Sequence, residues 1–282
     1  MPIRQDNVRA VLDQVKADGR STLTAPECKT VCEAYGIPLP EEGIANSPED
    51  AVMIANGIGY PVAMKIVSAD IQHKTEAGGV LVGLRDAAEV TTGYNSIIES
   101  VQSYAPDADV VGLQVQQMLD KSDQEVIVGA VTDPSFGKLV AFGLGGILVE
   151  VLKDVTFRLA PATTEDANSM LDGIQATEVL RGVRGTEAVN RNALTRIIVS
   201  VSKLISDFPS IQEIDLNPIL ANASGATAVD ALITVDFSPP KEIYRPTQDA
   251  IISAMNRIMK PSAVAVIGAS DSEGKILSLI HI

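Results

Sequence analysis

The apolar and polar positions divide the chain into helix-like and strand-like stretches. Residues 7–19 read as a first helix. In "TAPECKTVCEAYGIPLP", Thr24 and Glu27 have the spacing of a capping box, and Gly36 supplies the helix stop. "SPEDAVMIANGIG" repeats the device, with Ser47 as cap, Pro48 at the first helical position and Gly57 or Gly59 near the end. The short apolar runs "YPVAMKIV" and "GGVLVGL" predict strands, the first carrying Lys65. "DAAEVTTGYNSIIESVQSYAP" predicts a helix of roughly four to five turns. "VVGLQVQQML", "QEVIVGAVTD" and "KLVAFGLGGILVEV" predict three more strands. Helices follow at "TTEDANSMLDGI" and "NALTRIIVSVSKLISDF", and two last strands at "IQEIDLNPILA" and "ATAVDALITVD". This order lacks the strict alternation of a doubly wound sheet, so the expected class is α+β, with lobes built around sheets.

"FSPPKEIYRPT" has three prolines and reads as a linker. Beyond it, "DAIISAMNRIMKPSAVAVIGASDSEGKI" begins a new unit of helix, strand and glycine turn that stops before a fold can close. Composition narrows the possibilities. Aromatics are 4% of residues and Trp is absent, so Val, Ile, Leu and Ala must build the core. The net charge of −14 does not suit binding to nucleic acid by counterion release, and no basic cluster marks a membrane surface. Cys28 and Cys32 fit one helix face and lack both a second pair for zinc and the C-x-x-C spacing, so reduced, part-buried thiols are expected. The longest apolar run is too short and glycine-rich to span a bilayer. The polar N-terminus has no signal-peptide core, which makes the cytoplasm the expected compartment.

Chemistry is concentrated in a few places. In "IQHKTEAGG", His73 is one of only two histidines. Lys65, at the end of a predicted strand, can hold a phosphate or lie on the surface with its stem covering apolar groups. Gly78 and Gly79 allow a phosphate approach, a swinging loop or a plain turn. In "EIDLNP", period-2 alternation sets Asp215 and Asn217 on one strand face, and Asp230 falls in the next predicted strand. A carboxylate and an amide oxygen, completed by water and phosphates, suit Mg²⁺; a polar sheet edge is the other reading. Gly143, Gly145 and Gly146 favour close approach of a backbone or ligand. Arg158 is a candidate phosphate clamp through its forked donors. Glu150 and Asp154 precede it at helical spacing, which means nothing if the stretch is not a helix. Arg181 and Arg184 could act similarly or lie in a solvated loop. "AVIGAS" opens like a dinucleotide-binding turn but lacks the full glycine pattern.

Together "YGIPLP", "GYPVAMKIVSADIQHKTEAGGV", "QEVIVGAVTDPSFGKLVAFGLGGILVEVLKDVTFRLAP" and "IQEIDLNPIL" make residues 5–237 resemble the ATP-grasp, or β, part of the ADP-forming acyl-CoA synthetases, relatives of succinyl-CoA synthetase. "KPSAVAVIGASDSEGKI" resembles the start of the family's CoA-binding domain. The resemblance implies an ATP-grasp domain over 1–237, its smaller lobe over roughly 28–108. It further implies a linker and helix over 238–259 and the beginning of a Rossmann-like CoA-binding domain over 260–276. His73 matches the histidine that the family phosphorylates, Lys65 the phosphate lysine, and Asn217 and Asp230 the metal pair. Val115 to Met118 match the adenine-contacting hinge, Glu125 lies just beyond it, and Gly268 and Ser270 match CoA-contacting positions. The implied ligands are Mg²⁺, ATP or ADP, CoA and a small carboxylic acid. The implied partners are further ligase domains in cis or an α subunit, in an oligomer. The implied reaction is acyl-CoA + ADP + phosphate ⇌ acid + CoA + ATP. A carboxylate–amine ligase needs no such histidine, and a regulatory module of a protein acetyltransferase need not keep these residues. Residues 277–282, "LSLIHI", do not resemble the family and match the translation of a common sequencing-library adapter. They are expected to be foreign to the protein, so that His281 carries no function.

Overall fold

A computed structural model describes residues 3–68, 70–71, 74–119, 124–145, 154–182, 187–238 and 247–263. The chain divides into a unit Met1–Ser238 and a unit Pro239–Ile282.

Among the described residues the first unit has two antiparallel sheets. The smaller joins β1 (Glu42–Ala45), β2 (Val62–Val67), β3 (Val80–Leu84) and β4 (Gly112–Gln117) in the order β1-β4-β2-β3. Helices α3 (Pro48–Ile58) and α4 (Ala87–Tyr104) cover one of its faces. There Val62, Met64, Ile66, Leu113 and Val115 pack with Ala51 and Ala55 of α3 and with Val90, Ile97 and Val101 of α4. The expected caps form: Ser47 accepts from the Asp50 N–H at 3.1 Å, and Gly59 ends α3 with φ 95°.

The larger sheet holds β5 (Gln124–Asp133), β6 (Gly137–Leu144), β7 (Val155–Leu159), β8 (Ile211–Ala221), β9 (Ala226–Ala228) and β10 (Leu232–Val235). Its order is β10-β8-β5-β6-β7, with β9 also paired to β8. Between β7 and β8 lie α5 (Thr164–Gly173), α6 (Thr177–Arg181) and α7 (Arg191–Asp207). Helix α7 buries Leu194, Ile197, Ile198, Val201, Leu204 and Ile205 against the sheet face formed by Val126, Val128, Val140, Phe142 and Leu216. Each such side chain contributes about 1.5–3 kcal/mol relative to exposure.

Helices α1 (Gln5–Ala17) and α2 (Ala25–Ala34) join this larger core through Val8, Leu12, Val15, Cys28, Val31 and Cys32. The Thr24–Glu27 capping box forms, with the Thr24 N–H donating to the Glu27 carboxylate at 2.7 Å. The smaller sheet therefore occupies 42–117, which corrects the lobe expected over 28–108: the apolar face of α2 is buried in the larger core. Strand β1 was not foreseen, since its four residues carry little periodic signal. The strand expected over "ATAVDALITVD" is interrupted at Val229–Ala231 and splits into β9 and β10. The stretch holding Arg158 is strand β7 and not helix, so the helical spacing of Asp154 and Arg158 has no meaning.

The thiols are fully buried, where part-buried ones were expected. Cys28 is 2% exposed and Cys32 0%. Burial pushes the Cys28 thiol up to about 12 and Cys32 well above its ordinary range, so neither is a ready nucleophile. Of the glycines, Gly143 packs against the Asp154 carbonyl and Gly145 against the β5 backbone at Glu125, so another backbone fills the space. Gly146 and Glu150 lie outside the described residues.

In the second unit, helix α8 (Gln248–Met259) is capped by Thr247, whose hydroxyl accepts from the Ala250 N–H at 3.3 Å. The strand and glycine turn expected after Ala263, with Gly268 and Ser270, lie outside the described residues. Among the described residues no helix is long and apolar enough to cross a membrane.

Candidate functional site

Strand β2 buries all six of its residues. Met64 and Ile66 enter the core under α3 and α4, so alternation turns Lys65 to the opposite face, toward the larger sheet. Lys65 is 9% exposed, and its Nζ lies 3.7 Å from Asp230 Oδ2.

Strand β8 alternates in the same way as far as Asn217: Ile214 and Leu216 are buried, while Asp215 and Asn217 face outward. An irregularity at Asn217–Pro218 then shifts the pattern, and the next buried side chain is Ile219. Leu232 of β10 pairs with Asp215, and Ala228 of β9 pairs with Ile219. One register spans both ladders, so position 230 falls opposite position 217. The break between β9 and β10 places Asp230 in a turn and not in the strand expected for it. The Val229 N–H donates to the Pro218 carbonyl at 2.9 Å and closes that turn onto β8. Asn217 and Pro218 are joined by a cis peptide bond.

These residues line a cleft of about 470 Å³, which also includes Lys74, Glu76 and Val80. Burial, and then the neighbouring Glu213 and Asp230, hold the Asp215 carboxyl above its ordinary range. The cleft thus offers two ammonium groups for anionic oxygens and, beside them, carboxylate and amide oxygens for a hard cation. Among the described residues no group of three or more His, Cys, Asp or Glu side chains is set to hold a metal. The carboxylate of Asp230 and the amide oxygen of Asn217 suit Mg²⁺, which takes one or two protein oxygens and completes its octahedron with water and phosphate.

Below the tail of the Lys74–Gly79 turn, Gly79 packs directly on β2. A Cβ there would stand 2.5 Å from Ile66 Cγ2, and Gly78 has φ 66°. The glycine pair is explained by this close packing and left-handed turn. His73 lies outside the described residues.

Other expected positions are not brought to the cleft. Val115 is 0% exposed in the core under α3 and α4, and strands flank it on both sides, so it cannot touch a nucleotide. Met118 sits just past β4, where its sulfur accepts from the Gly83 N–H at 3.0 Å. Glu125 is near the start of β5, exposed and away from the cleft lining. Arg158 pairs with Val140, whose side chain is buried beneath the helices, so Arg158 shares that face and points away from Asp215. Its guanidinium donates to the Phe157 carbonyl at 2.7 Å and to the Ser169 hydroxyl. The phosphate-clamp expectation for Arg158 is corrected by this parity. Arg181 is paired with Glu178 at 2.6 Å and Asp172 at 3.3 Å, and Arg184 lies outside the described residues.

Sequence reasoning missed Glu42, Gln114 and Gln116. Gln114 and Gln116 are 4% and 2% exposed on the Lys65 side of the small sheet. The signal was present as the two alternating amides of "GLQVQQ", which an apolar-strand reading passes over.

A family model described as an ATP-grasp domain matches residues 14–235. The β subunit of acetate–CoA ligase [ADP-forming] I from Pyrococcus furiosus is 46% identical over 228 residues, covering 81% of this chain and 97% of that protein. Among solved structures, the dinucleotide-forming acetyl-coenzyme A synthetase 1 of Ca. Korarchaeum cryptofilum, in complex with coenzyme A, Ca-AMPCP and HgCl+, superposes with a TM-score of 0.78. It is 39% identical and covers 81% of this chain and 99% of that one. A second structure of that enzyme, with coenzyme A and Mg-AMPPCP and its phosphohistidine segment pointing towards the nucleotide binding site, is 37% identical with a TM-score of 0.72, covering 81% and 100%. With the two-lobed α+β architecture, these matches identify the chain as a member of the ATP-grasp family, the nucleotide-binding β part of an ADP-forming acyl-CoA ligase.

Proposed function

We propose that the cleft holds Mg²⁺ with ATP or ADP and that His73 carries a phosphoryl group between this nucleotide and a second centre, where an acyl phosphate and CoA meet. The carrying observation is the meeting of Lys65 from one sheet with Asp230, opposite Asn217, in a cleft whose volume of about 470 Å³ falls in the range of small-molecule sites. Lys65 and Lys74 hold phosphate oxygens, and Asp230 and Asn217 offer oxygens to the cation. Mg²⁺ bound to Asp230 and Asn217 would supply charge neutralisation at the phosphates. A neutral imidazole nitrogen of His73 attacks the γ-phosphorus, the bond from phosphorus to the bridging oxygen breaks, and ADP leaves with that electron pair. The return step passes the phosphoryl group back to ADP.

The complete reaction is acyl-CoA + ADP + phosphate ⇌ acid + CoA + ATP. It requires further ligase domains in cis or an α subunit for CoA and the carboxylic acid. The chain is incubated with γ-labelled ATP and Mg²⁺ and the protein-bound label is followed. Acid-labile, base-stable label is expected on the natural chain and none on His73→Asn. Label that persists in His73→Asn overturns the assignment.

A further inference from the structure

A second polar cluster lies behind the cleft. Its centre is Glu42 at the start of β1, whose side chain is only 6% exposed. Glu42 and Gln116 are direct partners across β1 and β4, and Gln114 lies two positions along the same face. Glu42 Oε2 accepts from Gln114 Nε2 at 2.6 Å and from Gln116 Nε2 at 2.9 Å. Lys29 Nζ approaches Oε1 at 3.9 Å. A buried carboxylate needs such partners, since an uncompensated one is strongly disfavoured.

The Gln116 amide has a second N–H, and it leaves the smaller sheet. Nε2 also donates to the Val229 carbonyl at 3.1 Å. Val229 begins the turn where pairing to β8 is interrupted between β9 and β10. Its own N–H is held by the Pro218 carbonyl at 2.9 Å. The turn is therefore gripped from both sides, and the residues next to the two grips are Asp230 and Asn217. Gln116 lines no part of the nucleotide cleft.

We propose that Glu42 and Gln116 are positioning residues for Asp230: the Glu42 carboxylate orients the Gln116 amide, and that amide holds the Val229–Ala231 turn so that Asp230 stays opposite Asn217 and near Lys65. The consequence for nucleotide binding rests on the function proposed above; the holding of the turn does not. Lone packing inside the smaller sheet would not need the contact to Val229. A charge-oriented amide is well suited to it, because hydrogen bonds to ionised groups are the stronger class.

Gln116→Met keeps the side-chain volume and removes both donors, while Glu42→Gln keeps the shape and removes the charge. Two readouts are taken. The first is amide hydrogen exchange at Val229 and Ala231 in the nucleotide-free chain, with Val128 of β5 as internal reference. The second is affinity for AMPPCP in Mg²⁺. Gln116→Met is expected to speed exchange at Val229 and Ala231 and to weaken AMPPCP binding, each by about tenfold, equivalent to about 1.4 kcal/mol, while Val128 is unchanged. Glu42→Gln is expected to move both in the same direction by less, and it decides the matter if Gln116→Met does not fold. Unchanged exchange at the turn, or an equal rise at Val128, overturns the proposal. Faster exchange with unchanged affinity overturns the role for Asp230. A natural chain that binds no AMPPCP removes the proposed function, and the exchange data still decide whether Gln116 holds the turn.

Discussion

Replacing Asp230 by alanine should separate binding from stability. The carboxylate stands 3.7 Å from Lys65 Nζ, and its side chain is 45% exposed. At that range Coulomb attraction is about 1 kcal/mol in water and about 4 kcal/mol at an effective dielectric near 20. The exposure of Asp230 favours the lower figure, and exposed pairs contribute roughly 0.2–1 kcal/mol. Two neighbours reduce the loss further. Asp215 is relieved of one like charge, since Asp230 is among the groups that raise its carboxyl. Lys65 still shares the cleft with Asp215 and Glu76. The net change in unfolding free energy should stay within about 1 kcal/mol. Binding should suffer more, because even indirect partners of a metal ligand cost about 10–100-fold in affinity when removed. A direct oxygen ligand should cost at least about tenfold for the Mg²⁺–nucleotide complex. Urea unfolding gives the first quantity and titration calorimetry with AMPPCP in Mg²⁺ the second. Equal losses in both, or binding that survives intact, would refute the ligand role and leave Asp230 a structural residue.

Acid stability should depend on Glu27. Burial alone would raise its carboxyl, but hydrogen bonds from Arg20 and Thr24 outweigh burial and hold it below the ordinary value of 4.5. A depressed folded value contributes stability above the unfolded value and loses it as pH falls through the folded one. Glu27→Gln should therefore be less stable at neutral pH and show a flatter acid limb below about 4.5, and an unchanged limb in pH-dependent urea midpoints would contradict this. Gly79→Ala should destabilise by about 1–3 kcal/mol, because its Cβ would meet Ile66 Cγ2 at 2.5 Å and the Lys74 carbonyl at 3.0 Å. Thermal unfolding decides that case, and an unchanged midpoint would mean that β2 and the turn can part freely.

The sequence by itself determined the local devices and the parity of the strands. Thr24 with Glu27, and Ser47, mark helix starts because they satisfy backbone groups within four residues of themselves, and Pro48 because it has no N–H to satisfy and a φ already set for a helix. The alternation of Ile214 and Leu216 with Asp215 and Asn217 fixed which β8 side chains leave the core. Motif resemblance, which is also a property of the linear chain, named Lys65, Asn217 and Asp230. Tertiary structure decided what depends on long-range pairing. Arg158 has the right chemistry for a phosphate, but its place in β7 opposite Val140 turns it to the helix-covered face. Val115 opens the stretch that matches the adenine-contacting hinge, yet its parity in β4 sends it into the core. Glu42 belongs to a strand of four residues, too short to show a period, and its two amide partners are more than seventy positions away. Asp230 faces Asn217 because one register continues across a broken ladder, and the break itself is held by an amide from the other sheet. Hydrogen bonds and side-chain burial across such separations have no local signature, so only the folded chain could place them.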